Sequence, residues 1–253
     1  KAFHNGEYIF MKIQWTDEVY NRRQRPWVKT ETGWMHLNPG GSDEKIYNED
    51  KFAVMFPINT DTEFRRYGCA VYCHNNKKFA HGHHWTAKNN PVDMWHWKAV
   101  RTDPMGNVDD KYWAGAEEFS TEQARHGDPG SSGYANNLVK GISHPMMLPS
   151  TLDANVMGAV LESKSEIYTK TAAAKFPVGS VVPGVIIFKG EGDRADIKCY
   201  SSYGDNMWTL WIWIPAVNMM LSLNPARHMI LLLPHLIITQ CGMLTIIRCI
   251  DFI

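Results

Sequence analysis

PVDMWHWKAVRTDPMGNVDDKYW, residues 91–113, is the stretch on which the fold turns. Trp95 and Trp97 stand two residues apart, so in an extended strand both indoles share one face and His96 takes the other. His96 therefore reads first as a packed strand residue and only second as a metal ligand. Asp109 and Asp110 follow Gly106 and offer the hard oxygen atoms that calcium prefers. One turn supplies too few such oxygens, so a capping or turn role is the preferred reading.

Outward from this stretch the chain keeps strand character. EYIFMKIQW (7–15) and KFAVMFPI (51–58) have strand composition, the second closed by Pro57, and a long polar loop lies between them from TDEVYNRR to TETG. VVPGVIIF (181–188) and ADIKCYSSY (195–203) are further strands. HGDPGSSGYANN (126–137) reads as a loop, and residues 150–175 predict a helix that ends at FPVGSVVPG. No internal repeat is visible. Short strands, long loops and little helix predict an all-β chain, an antiparallel β-sandwich with long enclosing loops and a few short helices.

The charge balance, 26 Lys and Arg against 26 Asp and Glu, leaves no basic field for nucleic acid. Ten each of Trp, Tyr and Phe suit a packed core or a cofactor pocket. Five cysteines are too few, and odd in number, for a disulfide scaffold. Five of the eleven histidines fall between His74 and His96, in a region poor in periodic apolar residues that reads as loops wrapped round something. The chain starts at Lys1 directly in strand-like sequence, which is expected of a processed or truncated N-terminus.

CAVYCHNN (69–76) and HGHHW (81–85) lie in that region. Two thiols can add to the two vinyl groups of a haem, and a histidine directly after the second can reach the iron. Here Cys69 and Cys73 are separated by three residues rather than the usual two before His74, which only bulges the loop. Three readings stay open: covalent haem, a Cys69–Cys73 disulfide, and zinc with neighbouring histidines. His81, His83 and His84 are candidates for a second axial position. Trp95 and Trp97 would wall a haem face by dispersion contact, or form ordinary core. Lys98 offers a neutral amine if buried, or an ammonium partner for Asp93, Asp109 or a haem propionate. Arg101 suits a propionate through its planar fork, or a plain ion pair.

GCAVYCH (68–74) together with PVDMWHWKAVRTDPMGNVDDKYW resembles the haem-binding domain of the ethylbenzene dehydrogenase gamma-subunit family. AFHNGEYIFMKIQWTDE, EDKFAVMFPI and VPGVIIFKGEGDRADIKCY are similar to its early and late strands, so the resemblance covers about residues 1–210. The cysteine-bearing form is most similar to the gamma subunits of nitrite oxidoreductases, which are exported molybdenum enzymes. The resemblance implies a β-sandwich holding haem, c-type at Cys69, Cys73 and His74 or b-type, with His81 at the family's Met–Gly ligand position. It further implies an electron-transfer subunit, not an enzyme on its own, that relays electrons between iron–sulfur clusters and a soluble cytochrome acceptor. The implied partners are a catalytic molybdenum subunit and an iron–sulfur subunit. The implied location is the periplasm or an equivalent compartment, such as the anammoxosome lumen of an anammox bacterium.

No nucleophile–base pair, phosphate loop or carboxylate dyad is apparent in the sequence. A carbohydrate-binding or interaction sandwich is the alternative, but sugar binding requires neither CxxxCH nor the density of histidines. Residues 211–253 change character: they are rich in Leu and Ile and carry one acidic residue, Asp251. A membrane anchor there is interrupted by Pro234, His235 and Gln240. An out-of-frame reading of the final strands is preferred, and the family's lysine ligand, which comes from near the C-terminus, is not transferred to Lys98.

Overall fold

The structure is a computed structural model. It describes residues 1–37, 47–58, 64, 66, 68, 91–113, 125–151 and 158–215, with the backbone of two further strands. Eighteen strands run in chain order among these residues. The first five are β1 (Ala2–His4), β2 (Tyr8–Thr16), β3 (Trp27–Thr30), β4 (Gly33–His36) and β5 (Lys51–Pro57). Then come β6 (Val92–Lys98), β7 (Asp109–Trp113), β8 (Arg125–Gly127), β9 (Tyr134–Asn136) and β10 (Met147–Pro149). The short β11 (Val160–Leu161), β12 (Ser165–Ile167), β13 (Val181–Val182) and β14 (Val185–Ile187) precede the long β15 (Lys198–Gly204) and β16 (Met207–Pro215). The backbones of β17 (Leu236–Thr239) and β18 (Ile246–Ile250) complete the set.

Two sheets make the sandwich. One has the order β1-β2-β16-β15, and the other β18-β17-β5-β6-β7-β8, with every neighbouring pair antiparallel. Period-two alternation in β2 and β16 turns Met11, Ile13 and Trp15, and Trp208, Leu210, Ile212 and Ile214, toward the facing sheet. There they meet Phe52, Val54, Phe56, Trp95 and Trp97 in one core cluster. Trp15 is stacked on Trp208 at 6.0 Å and meets Trp97 edge-on at 5.8 Å; Trp97 meets Trp208 edge-on at 4.9 Å. Removing one such indole from a packed core costs about 3–5 kcal/mol. Trp95 and Trp97 are thus core residues of the sandwich, on the shared face their spacing predicts.

The far face of the first sheet carries Phe3, Phe10, Trp211, Trp213 and Tyr200, of which Phe3 and Tyr200 are exposed. β16 runs through position 211, where the sequence reading divides the chain, and Ile212 and Ile214 are part of the core.

The structure corrects three expectations. The segment read as one polar loop before residue 33 contains β3, which pairs with β4 as Trp27 anchors a satellite core through Trp34 and Phe176. Among the described residues of the predicted helix at 150–175, one turn is helical, α1 (Lys170–Ala174), capped by Thr169 Oγ1 accepting from the Ala172 N–H, while β11 and β12 take up residues 160–161 and 165–167. Asp109 and Asp110 are not turn residues. They open β7, where successive side chains point to opposite faces.

No helix among the described residues is long and apolar enough to cross a membrane.

Candidate functional site

The chemistry-bearing side chains gather on the hairpin β6–β7. Its connection is a 3-10 turn, Asp103–Met105, with Pro104 at the start and Gly106 at the end in the left-handed region (φ 68°). Buried Glu49 secures this turn from outside: its Oε2 accepts from the N–H groups of Val100 (2.6 Å) and Arg101 (3.0 Å), and its Oε1 pairs with the Arg101 guanidinium. Trp97 Nε1 donates to Asp103 Oδ1 at 2.9 Å, tying the core indole to the same turn.

The outer face of the hairpin carries a cation-rich cluster. Asp109, fully buried, pairs with Lys98, with Lys111 at 3.0 Å and with Arg194 at 2.9 Å, and accepts from the Tyr134 hydroxyl at 3.0 Å. Gly127 makes room for this: a Cβ there would lie 1.5 Å from Arg194 Nη1. Burial alone would push the Asp109 carboxyl up, but the charges of Lys98 and Lys111 overcome it and hold the pKa at about 2. Burial pulls the Lys98 ammonium well below its ordinary value, and Asp109 opposes that.

His96 lies across the ladder from Asp109 and shares its face with Met94 and, on β5, Ala53 and Met55, all buried. Neither ring nitrogen has a hydrogen-bond partner. Burial, with the charges of Lys98, Lys111 and Arg101, holds the imidazole well below its usual pKa. It is a neutral, buried imidazole with a free nitrogen lone pair.

The opposite face of β6 and β7 carries the contrary arrangement. Asp93, Asp110 and Asp128 converge so that one oxygen from each lies within 4.8 Å of the others. Asp93 and Asp110 are fully buried, and Asp128 is half-buried. Trp95 Nε1 donates to Asp93 Oδ2 at 3.2 Å, but Asp93 Oδ1 and both oxygens of Asp110 are buried without a partner. Burial, followed by the neighbouring charge of Asp93, pushes Asp110 up to about 12; burial and Asp128 raise Asp93 as well. The sequence reading found no carboxylate dyad. The register that sets Trp95 opposite Asp110, and the return of the chain at Asp128 beside β7, assemble three.

Of the residues singled out from the sequence, the structure brings Trp95, Trp97, Lys98 and Arg101 onto or beside this hairpin. Lys98 is paired with Asp109 and Arg101 with Glu49, so the two cations read as propionate partners have internal carboxylates. Cys69, Cys73, His74 and His81 lie outside the described residues. Haem, which the sequence resemblance implies, finds among the described residues one orphaned imidazole suited to iron, that of His96. The Lys98–Asp109 pair is one that the sequence allowed; Glu49, Asp128 and Tyr134 went unremarked, and Asp110 was read as a turn residue, because their roles depend on how the strands are paired.

These features define the class: an all-β sandwich whose ionisable groups are concentrated on the two faces of one central hairpin. The chain belongs to the ethylbenzene dehydrogenase family, whose model matches residues 1–213. Membership makes it a subunit of the molybdoenzyme-type oxidoreductase complexes. No curated protein matches the chain.

Proposed function

We propose that the chain is the haem-carrying electron-transfer subunit of such a complex, exported with partners that hold the iron–sulfur clusters and the molybdenum centre, and that nitrite is the substrate of that centre. Haem, when bound, supplies an iron that gains and loses one electron at a time. The observation that carries the reading is His96: a buried imidazole with both nitrogens unbonded, on the first described strand that follows CxxxCH and HGHH in the sequence. A buried polar group without a partner is costly unless something occupies it, and an iron would. Asp109 keeps Lys98 and Lys111 engaged beside the imidazole, and Glu49 does the same for Arg101, so the hairpin that presents His96 is held rigidly. The reading assigns Cys69 and Cys73 to covalent attachment with His74 and His81 as the axial pair of a c-type haem, or His81 and His96 as the axial pair of a b-type one. The nitrite part rests on the cysteine-bearing form of the loop. The aromatic outer face of the first sheet favours a second reading, a carbohydrate platform, which requires no haem.

The test is acidified-acetone extraction of natively purified protein, with pyridine haemochrome spectra of both fractions. Haem that stays with the protein supports covalent attachment, and Cys69→Ala and Cys73→Ala should release it. Haem that moves into the solvent supports a b-type centre, and His96→Ala should then change its low-spin spectrum. Absence of haem from both fractions would overturn the reading in favour of the platform.

A further inference from the structure

We propose that Asp93, Asp110 and Asp128 form a binding site for a hard divalent cation, calcium, that clamps β6 and β7 to the segment following β8. The geometry suits the ion. Calcium takes oxygen ligands at about 2.3–2.6 Å, so two oxygens bound to one ion lie at most about 5 Å apart. The three carboxylates offer oxygens that are all within 4.8 Å of one another. The donor set is oxygen alone, with no imidazole or thiolate to favour zinc or copper.

Proximity of carboxylates is not enough, and the second observation is the state of Asp110. It is fully buried on the inner face of β7, it is aimed at Asp93 and Asp128, and neither of its oxygens has a donor. No lysine or arginine among the described residues forms an ion pair with Asp93, Asp110 or Asp128; the cations nearby, Lys98, Lys111 and Arg194, all serve Asp109 on the other face. Asp196 adds further negative potential to Asp110 and Asp128. Arg194 offsets part of the charge at half-buried Asp128, but three carboxylates this close, two of them fully buried, must either hold protons or hold a cation, because like charges at this separation cannot all ionise.

The placement gives the ion a structural task. Asp93 is on β6, Asp110 on β7, and Asp128 directly follows β8, where its N–H donates to the Asp110 carbonyl at 3.3 Å. One ion would therefore fix the strand order at the β8 edge of the larger sheet. This role is independent of haem.

The experiment has two parts on the full chain. Protein purified without chelator is assayed for bound metals by mass spectrometry; it is then stripped with EDTA and titrated with CaCl2 while thermal unfolding is followed. Calcium at about a hundred times its Kd should raise Tm by about 5–10 °C. Asp110→Asn and, at the more accessible position, Asp128→Asn should each weaken calcium binding by roughly tenfold or more, since affinity follows ligand charge. If the Asn variants fail to fold, the wild-type titration alone remains decisive. A stripped wild-type protein whose Tm does not respond to CaCl2 would overturn the proposal in favour of a protonated cluster. A response to MgCl2 or MnCl2 but not to CaCl2 would overturn the assignment to calcium.

Discussion

Asp109 and Asp110 are adjacent in the chain and opposite in every other respect. On the outer face of β7, Asp109 has three cations and a phenol hydroxyl, and its pKa lies at about 2. On the inner face, Asp110 has two other carboxylates and no donor, and its pKa lies at about 12. Both are fully buried, so depth does not separate them. What separates them is the sign of the neighbours that strand pairing delivers to each face. Burial of an acid is thus not a property of a sequence position; it becomes favourable or unfavourable only when the facing strands are set.

The comparison can be broken most forcefully at Asp109. Asp109→Asn keeps the shape and removes the charge that Lys98, Lys111 and Arg194 share. It should destabilise the fold by about 3–5 kcal/mol, as expected for a buried pair that loses one partner; urea unfolding at neutral pH measures it.

Next in size is pH. The metal-free folded protein holds a proton on Asp110 up to about pH 12, whereas an unfolded aspartate releases it near 3.9. Between those values the native state binds more protons, so its stability falls as pH rises, by about 1.4 kcal/mol per pH unit per proton. Asp109 has the opposite sign, but its contribution is already complete above pH 4 and is lost only as pH falls toward 2. His96, held neutral in the folded state, also has the opposite sign up to its unfolded value near 6.5, so the Asp110 contribution is read as a difference: in EDTA-treated protein the stability of Asp110→Asn relative to the wild type should rise from pH 5 to 7 in urea unfolding.

A smaller effect is expected at Glu49, the buried carboxylate at the end of the same hairpin. Glu49→Gln weakens its hydrogen bonds to two backbone N–H groups and to Arg101, at about 1.5–3 kcal/mol in chemical denaturation. Smallest is the solvent-exposed pair Lys175–Glu166 at 3.3 Å, where Lys175→Ala should change stability by less than about 0.5 kcal/mol. Equal effects at Asp109 and Lys175 would show that the outer cluster is no tighter than a surface contact.

Much of the fold was legible because alternation is a local signal. Trp95 and Trp97 on one face of β6 and the buried positions of β2 follow from period two, whereas β5 and β14, buried along their length, show as strands by composition. β3 was hidden because its apolar partners, Trp34 and Phe176, are brought to it by other elements. Residues 150–175 carry five alanines and three lysines, yet among the described residues only one helical turn forms, since Leu148 and Glu166 pair as β10 and β12. The carboxylate trio was illegible for a further reason. Asp93, Asp110 and Asp128 are 17 and 18 residues apart in sequence, and only the registers of the β6–β7 and β7–β8 pairs superimpose them. Reading Asp109 with Asp110 as one turn joined the two acids that the strand sends in opposite directions.

β16 has a consequence in time. It occupies an interior place in its sheet, pairing with β15 on one side and with β2 on the other, from Met207↔Thr16 to Pro215↔Tyr8. A chain that emerges from the ribosome N-terminus first presents Met11, Ile13 and Trp15 almost two hundred residues before the strand that pairs beside them exists. Contacts so distant in sequence are slow to form, and the apolar surface that awaits them is prone to aggregate. The sandwich therefore closes only once β16 has been made, and until then the first strands need a chaperone or an empty neighbourhood.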